Sequence, residues 1–162
     1  MDDSVSLDEL DWADPSALPP EGIADRWGDA AAAGFLALPN ALIRSQAKLG
    51  ITPNELVVLM NILVHWWRRD RLAYPRSSTI AHRSGLGKRT VQRCLSSLEE
   101  KGLIERVRHP GRGKMQYDPD GLREAVVPYA LKDPWAWRWP EKIKRKNVED
   151  RNRAGRSFIP NS

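Results

Sequence analysis

Within SGLGKRTVQRCLSSLEEKGLI, residues Ser84 to Ile104, two arginines stand four positions apart with a glutamine between them: Arg89, Gln92 and Arg93. Guanidinium groups donate paired hydrogen bonds to the flat acceptor edge of guanine, and a side-chain amide does the same for adenine. Spacing decides whether these donors act together. At about 100° per residue, Val91, Cys94, Leu95 and Leu98 crowd into an arc of about 100°, with Arg89, Arg93 and Ser96 about 140–200° from Val91. The pattern predicts a helix over about residues 88–100, with an apolar stripe on one side. The opposite face presents Arg89, Thr90, Gln92, Arg93 and Ser96 as candidate base-reading residues.

Such a face needs elements to aim it. Before it, Pro75 stops the preceding structure, Ser77 to Arg83 reads as a helix of two turns, and Gly85 supplies a left-handed turn. After it, Gly102 closes the helix, and LIERVRHPGRGKMQYD reads as two short strands around a turn at Pro110, Gly111 and Gly113. Upstream, Thr52-Pro53-Asn54-Glu55 fits a capping box at the start of a helix running to about Arg68. Its run ELVVLMNILVHWW is apolar nearly all round, which predicts burial on several sides, centrally or against a second subunit. A short helix from about Pro39–Asn40 to Gly50 precedes it. Asp120 to Leu131 is read as a last helix, weakened by Gly121 and Pro128.

Helix, short helix, glycine turn, helix and basic hairpin, in that order, make a winged helix-turn-helix: mainly α with a small β-hairpin wing. The wing is expected to contact the nucleic-acid backbone or minor groove through Arg106, Arg108, Arg112 and Lys114. Ser77 and Lys88, each at a helix N-terminus, are further candidates for phosphate contact. Trp66 and Trp67 are read as core and interface residues rather than a stacking platform.

YPRSSTIAHRSGLGKRTVQRCLSSLEEKGLIERV, Tyr74 to Val107, resembles the winged-helix domains of many phage and plasmid regulatory and replication proteins. It is also similar to the DNA-binding domain of gluconate-operon-type repressors. The resemblance rests on Tyr74-Pro75, Thr79-Ile80-Ala81, Gly85, Arg89-Thr90-Val91, Leu98-Glu99 and Gly102-Leu103-Ile104. It extends over roughly residues 35–131 and implies a DNA-binding fold without fixing a biological role. At two positions the chain departs from the pattern. Arg76 and Gly87 stand where such domains often carry serine, so both helix starts lose a hydroxyl cap; Ser77 is expected to take over at the first.

Charge is distributed unevenly. Residues 1–30 hold nine acids and one base, residues 31–131 sixteen bases and eight acids, and residues 132–162 nine bases and four acids. The expected organisation is an acidic, mostly disordered arm (1–33), the winged helix-turn-helix domain (34–131) and a basic tail (132–162) with tryptophans at 135, 137 and 139. Double-stranded DNA is the expected partner, with the protein a homodimer, and the arm or the 135–139 stretch could dock another protein. No apolar run is long enough to span a bilayer and the single cysteine is compatible with a reducing compartment, so a cytoplasmic, nucleoid-associated protein is expected.

Catalytic and cofactor chemistry finds no footing in the sequence. GRGK has Met115 where a phosphate loop needs a hydroxyl, and Arg108 where it needs glycine. His65, His82, His109 and Cys94 lack metal-ligand spacing, so no metal or cofactor is expected and the chain is read as a non-enzyme. Three roles remain for such a domain. They are a sequence-specific transcriptional regulator of mobile-element type, an origin-binding replication initiation protein, and a winged helix used only for protein interaction.

Overall fold

A computed structural model describes residues 21–111 and 113–133. Its described helices are α1 (Glu21–Trp27), α2 (Asn40–Arg44), α3 (Pro53–Leu63), α4 (Ser77–Ser84), α5 (Lys88–Glu100) and α6 (Asp120–Lys132). A 3₁₀ turn, Gly28–Ala31, follows α1, and strands β1 (Glu105–Arg108) and β2 (Met115–Asp118) form the hairpin between α5 and α6. The expected tail, with its tryptophans at 135, 137 and 139, lies outside the described residues, as does the arm up to residue 20. Within the expected arm, residues 21–31 are helical and Ala31 is buried.

The capping box of α3 forms as its sequence requires. Thr52 Oγ1 accepts from the Glu55 amide at 3.3 Å, and a Glu55 carboxylate oxygen accepts from the Thr52 amide at 2.8 Å. The helix ends at Leu63 rather than Arg68; Val64 and His65 continue as turns, donating to the Met60 and Ile62 carbonyls. Its near-continuous apolar surface is explained by a central position. Val58, Leu59 and Ile62 are fully buried, and α3 packs against both α4 and α5. Each such aliphatic side chain contributes about 1.5–3 kcal/mol when removed from water. Trp66 packs against this core, while Trp67 is largely exposed.

The α5 stripe is buried as its periodicity requires: Val91, Cys94, Leu95 and Leu98 all join the core. Between α4 and α5, Gly85 adopts φ 69°, and the Ser84 hydroxyl donates to the Ile80 carbonyl at 2.6 Å while accepting from the Leu86 amide at 3.3 Å. These bonds hold the turn tight enough for Leu86 to reach the core. Arg76 and Gly87 occupy the N-caps of α4 and α5 without a side-chain cap bond, so the expected takeover by Ser77 does not occur.

The hairpin pairs Glu105 with Asp118, Arg106 with Tyr117, Val107 with Gln116 and Arg108 with Met115. A feature unseen in the sequence broadens its base. Ala73, between α3 and α4, exchanges backbone bonds of 3.0 and 2.7 Å with Tyr117 and so adds a one-residue third strand. Both partners are buried, which anchors the wing in the core rather than leaving a free hairpin of marginal stability. Pro128 lies on the exposed side of α6, which forms in spite of it because Leu122 and Val126 pack into the core and α2 lies alongside.

Candidate nucleic-acid interface

Arg89, Gln92 and Arg93 are all exposed on α5, and Thr90 and Ser96 are half-buried at its flanks. Core packing of Val91, Leu95 and Leu98 dictates this, since every residue about 180° from the buried stripe must face solvent. Arg44, Arg68, Arg69, Arg106 and Arg123 each pair with a carboxylate. Arg89 and Arg93 form no ion pair among the described residues, which leaves every donor of both guanidinium groups available. Glu100, which sequence reasoning passed over, lies exposed at the C-terminal end of the same face. Its charge confines the cationic part of the face to the first two turns of α5.

The helix starts add a second kind of donor. Because Gly87 provides no side-chain cap, first-turn amides at the N-terminus of α5 remain available to an anion. Lys88 is exposed in the first turn of α5, and Ser77 is half-buried in the first turn of α4.

The wing divides its basic residues between two environments. Arg108 and Lys114 are exposed at its outer end, where the His109 amide donates to the Lys114 carbonyl at 2.9 Å and Gly113 takes φ 60°. Arg112 lies outside the described residues. Arg106, grouped with them in the sequence, has a different setting: its Nε donates to Glu99 Oε2 at 2.7 Å, and its backbone amide donates to Glu99 Oε1 at 3.1 Å. Hydrogen bonding to Arg106 holds the Glu99 carboxyl below its ordinary range, outweighing the opposing effect of burial. Ser96 Oγ is also drawn towards Arg106 Nη2, at 3.5 Å.

The structure therefore brings Lys88, Arg89, Gln92 and Arg93 onto one helix and sets Arg108 and Lys114 on the adjoining wing. Ser96 and Arg106 meet each other instead. Among the described residues, no three His, Cys, Asp or Glu side chains gather as a metal site, and no helix is long and apolar enough to cross a membrane.

Residues 49–104 match a protein family described as a helix-turn-helix domain, a span that runs from before α3 to the start of the wing. Three solved structures are similar at low identity. The N-terminal domain of DnaD protein from Geobacillus kaustophilus HTA426 is 22% identical with a TM-score of 0.49, over 70% of this chain and 92% of that one. Disulfide-formed AbfR is 18% identical with a TM-score of 0.37, over 68% and 77% of the respective chains. The transcriptional regulator PA3341 is 18% identical with a TM-score of 0.35, over 69% and 88%. No curated protein sequence matches the chain.

Proposed function

We propose that this winged helix-turn-helix protein binds double-stranded DNA in a sequence-specific manner and regulates transcription, as regulators carried by phages, plasmids and other mobile elements do. The observation that carries the reading is the first half of α5, where Arg89, Gln92 and Arg93 are exposed and the two arginines have no carboxylate partner among the described residues. An α-helix fits the major groove, and these side-chain types discriminate guanine and adenine there. Lys88 with the open amides of α5, Ser77, and the wing residues Arg108, Arg112 and Lys114 would hold phosphates on either side.

Two copies of the chain would read half-sites about one helical turn, or a multiple of it, apart. Exposed Trp27, Ile43 and Leu131 are among the apolar side chains that could serve such an association. Sedimentation of the free protein and of its DNA complex checks this, with a monomer in both cases refuting it.

Selection of binding sites from a random DNA pool, followed by their location in the source genome, tests the function. Enriched sites overlapping promoters are expected. An unenriched pool would refute sequence-specific binding, and iterated sites in an AT-rich origin would move the role to replication initiation.

A further inference from the structure

The structure assigns Glu99 and Arg106 to a clamp that sets the angle of the wing against the reading helix, so that Arg106 is a positioning residue rather than a phosphate contact. The inference rests on the DNA-binding reading above and concerns how its two contact surfaces are held in register. Glu99 stands in the last turn of α5 and Arg106 in β1, separated by the Gly102 turn. One carboxylate takes two hydrogen bonds from one residue, the Arg106 backbone amide on Oε1 at 3.1 Å and Nε on Oε2 at 2.7 Å, and Nη2 adds an ion-pair contact with Oε2 at 2.5 Å. An exposed ion pair with a single contact contributes little, because two long side chains must be ordered for it. Here the backbone of β1 is itself held, and the forked guanidinium fixes direction as well as distance.

The surroundings make the clamp consequential. Arg106 pairs in register with Tyr117, and Tyr117 in turn is bonded through its backbone to Ala73. The base of the wing is thus gripped from α5 on one strand and from the α3–α4 connection on the other. Ser96, one turn before Glu99, lies against Arg106 Nη2 at 3.5 Å, which directs its hydroxyl to the clamp instead of to a base edge. Arg108 and Lys114 are reached only beyond this anchored base. A backbone-contacting wing helps a reading helix only when both meet the duplex together, and a displacement of the order of 1 Å is enough to spoil such a fit.

Charge makes the test decisive. Replacing Glu99 with glutamine removes a negative charge beside the DNA-facing surface, so simple electrostatics predicts tighter binding. The clamp predicts the reverse. In the full chain, Glu99→Gln should bind the selected site several-fold more weakly, with a flatter salt dependence because wing phosphate contacts are lost. Adding Lys114→Ala to Glu99→Gln should then change little, whereas Lys114→Ala alone weakens the wild type. Hydrogen exchange of the free protein supplies a readout independent of DNA: amides of 105–118 should exchange faster in Glu99→Gln while those of α3 are unchanged. Unchanged wing exchange together with equal or tighter binding would overturn the clamp. Failure of the wild type to bind DNA would overturn the functional reading, and the exchange rates would still decide whether Glu99 orders the wing.

Discussion

The backbone of Gly121 lies so close to Gly102 that a Cβ on Gly121 would stand 2.0 Å from the Gly102 carbonyl oxygen. The next residue completes the contact, with the Leu122 amide donating to the Leu103 carbonyl at 2.8 Å. The start of α6 is thereby joined to the turn that ends α5. Glycine, poor in a helix by propensity, is here the residue that permits two backbones to touch.

Gly121→Ala should therefore cost about 2–4 kcal/mol of folding stability, because the atom it meets is backbone and cannot rotate away. Denaturant unfolding checks the value. A loss below 0.5 kcal/mol would mean that the crossing is looser than the structure shows.

Gly87 should respond in the opposite direction. It caps α5 at φ −64°, a value open to any residue, and a Cβ there would meet only Thr90 Oγ1 at 3.9 Å. Gly87→Ser should add about 0.5–1 kcal/mol by supplying the missing cap and reducing the freedom of the unfolded chain. Thermal unfolding measures the gain, and a lowered Tm would refute the open geometry.

Base reading by α5 predicts a particular form of loss. Arg89→Ala and Arg93→Ala should each cost about 1–3 kcal/mol on the selected site and relax preference at one base pair. Arg112→Ala and Lys114→Ala should instead weaken all sequences about equally and lower the log–log salt slope by about 0.9 per contact. Quantitative binding to the selected site and to random DNA separates the two classes. A loss confined to the selected site in the wing variants would make the wing a base reader.

Acid should weaken the α3–α5 contact at Glu55. Burial alone pushes this carboxyl upward, but hydrogen bonds from Lys101, Ser97 and the Thr52 amide outweigh it and hold it below its ordinary value of 4.5. Lys101 Nζ bonds both carboxylate oxygens, at 2.8 and 2.7 Å, and also the Gly50 carbonyl at 2.6 Å. Because the folded carboxyl is the more acidic, the stabilisation is fully present above the unfolded pKa. It is lost as pH falls through the folded value. Glu55→Gln should cost about 2 kcal/mol at neutral pH, with the difference from wild type closing as pH falls below the ordinary carboxylate range. Unfolding curves across that range check the sign.

Residues 1–20 carry six acids and no base, next to a body that holds sixteen bases and eight acids over residues 31–131. Tethered at an effective concentration of roughly millimolar, they should compete with DNA phosphate for the same arginines. Deleting them leaves α1 intact and should raise affinity for random DNA several-fold at low salt, with the gain shrinking as salt is added. Equal affinities at low salt would remove the arm as a brake.

Local pattern was enough to determine α5. Its length from Lys88 to Glu100, its buried stripe of Val91, Cys94, Leu95 and Leu98 and its exposed Arg89 and Arg93 follow from the helical period, which links residues three and four apart. The capping box at Thr52, the left-handed turn at Gly85 and the two hairpin strands were legible for the same reason, being encoded within a few neighbouring residues. Tertiary structure decided what depends on residues distant in the chain. Arg106 reads as one more basic wing residue until Glu99 is found against it, and Gly121 reads as a helix defect until Gly102 is found beneath it. Ala73 carries no strand signal in so short a segment, and only the buried backbone of Tyr117 gives it a partner. A sequence records which donors and apolar groups are available, whereas the packed chain determines which of them are already satisfied and which remain free to meet a ligand.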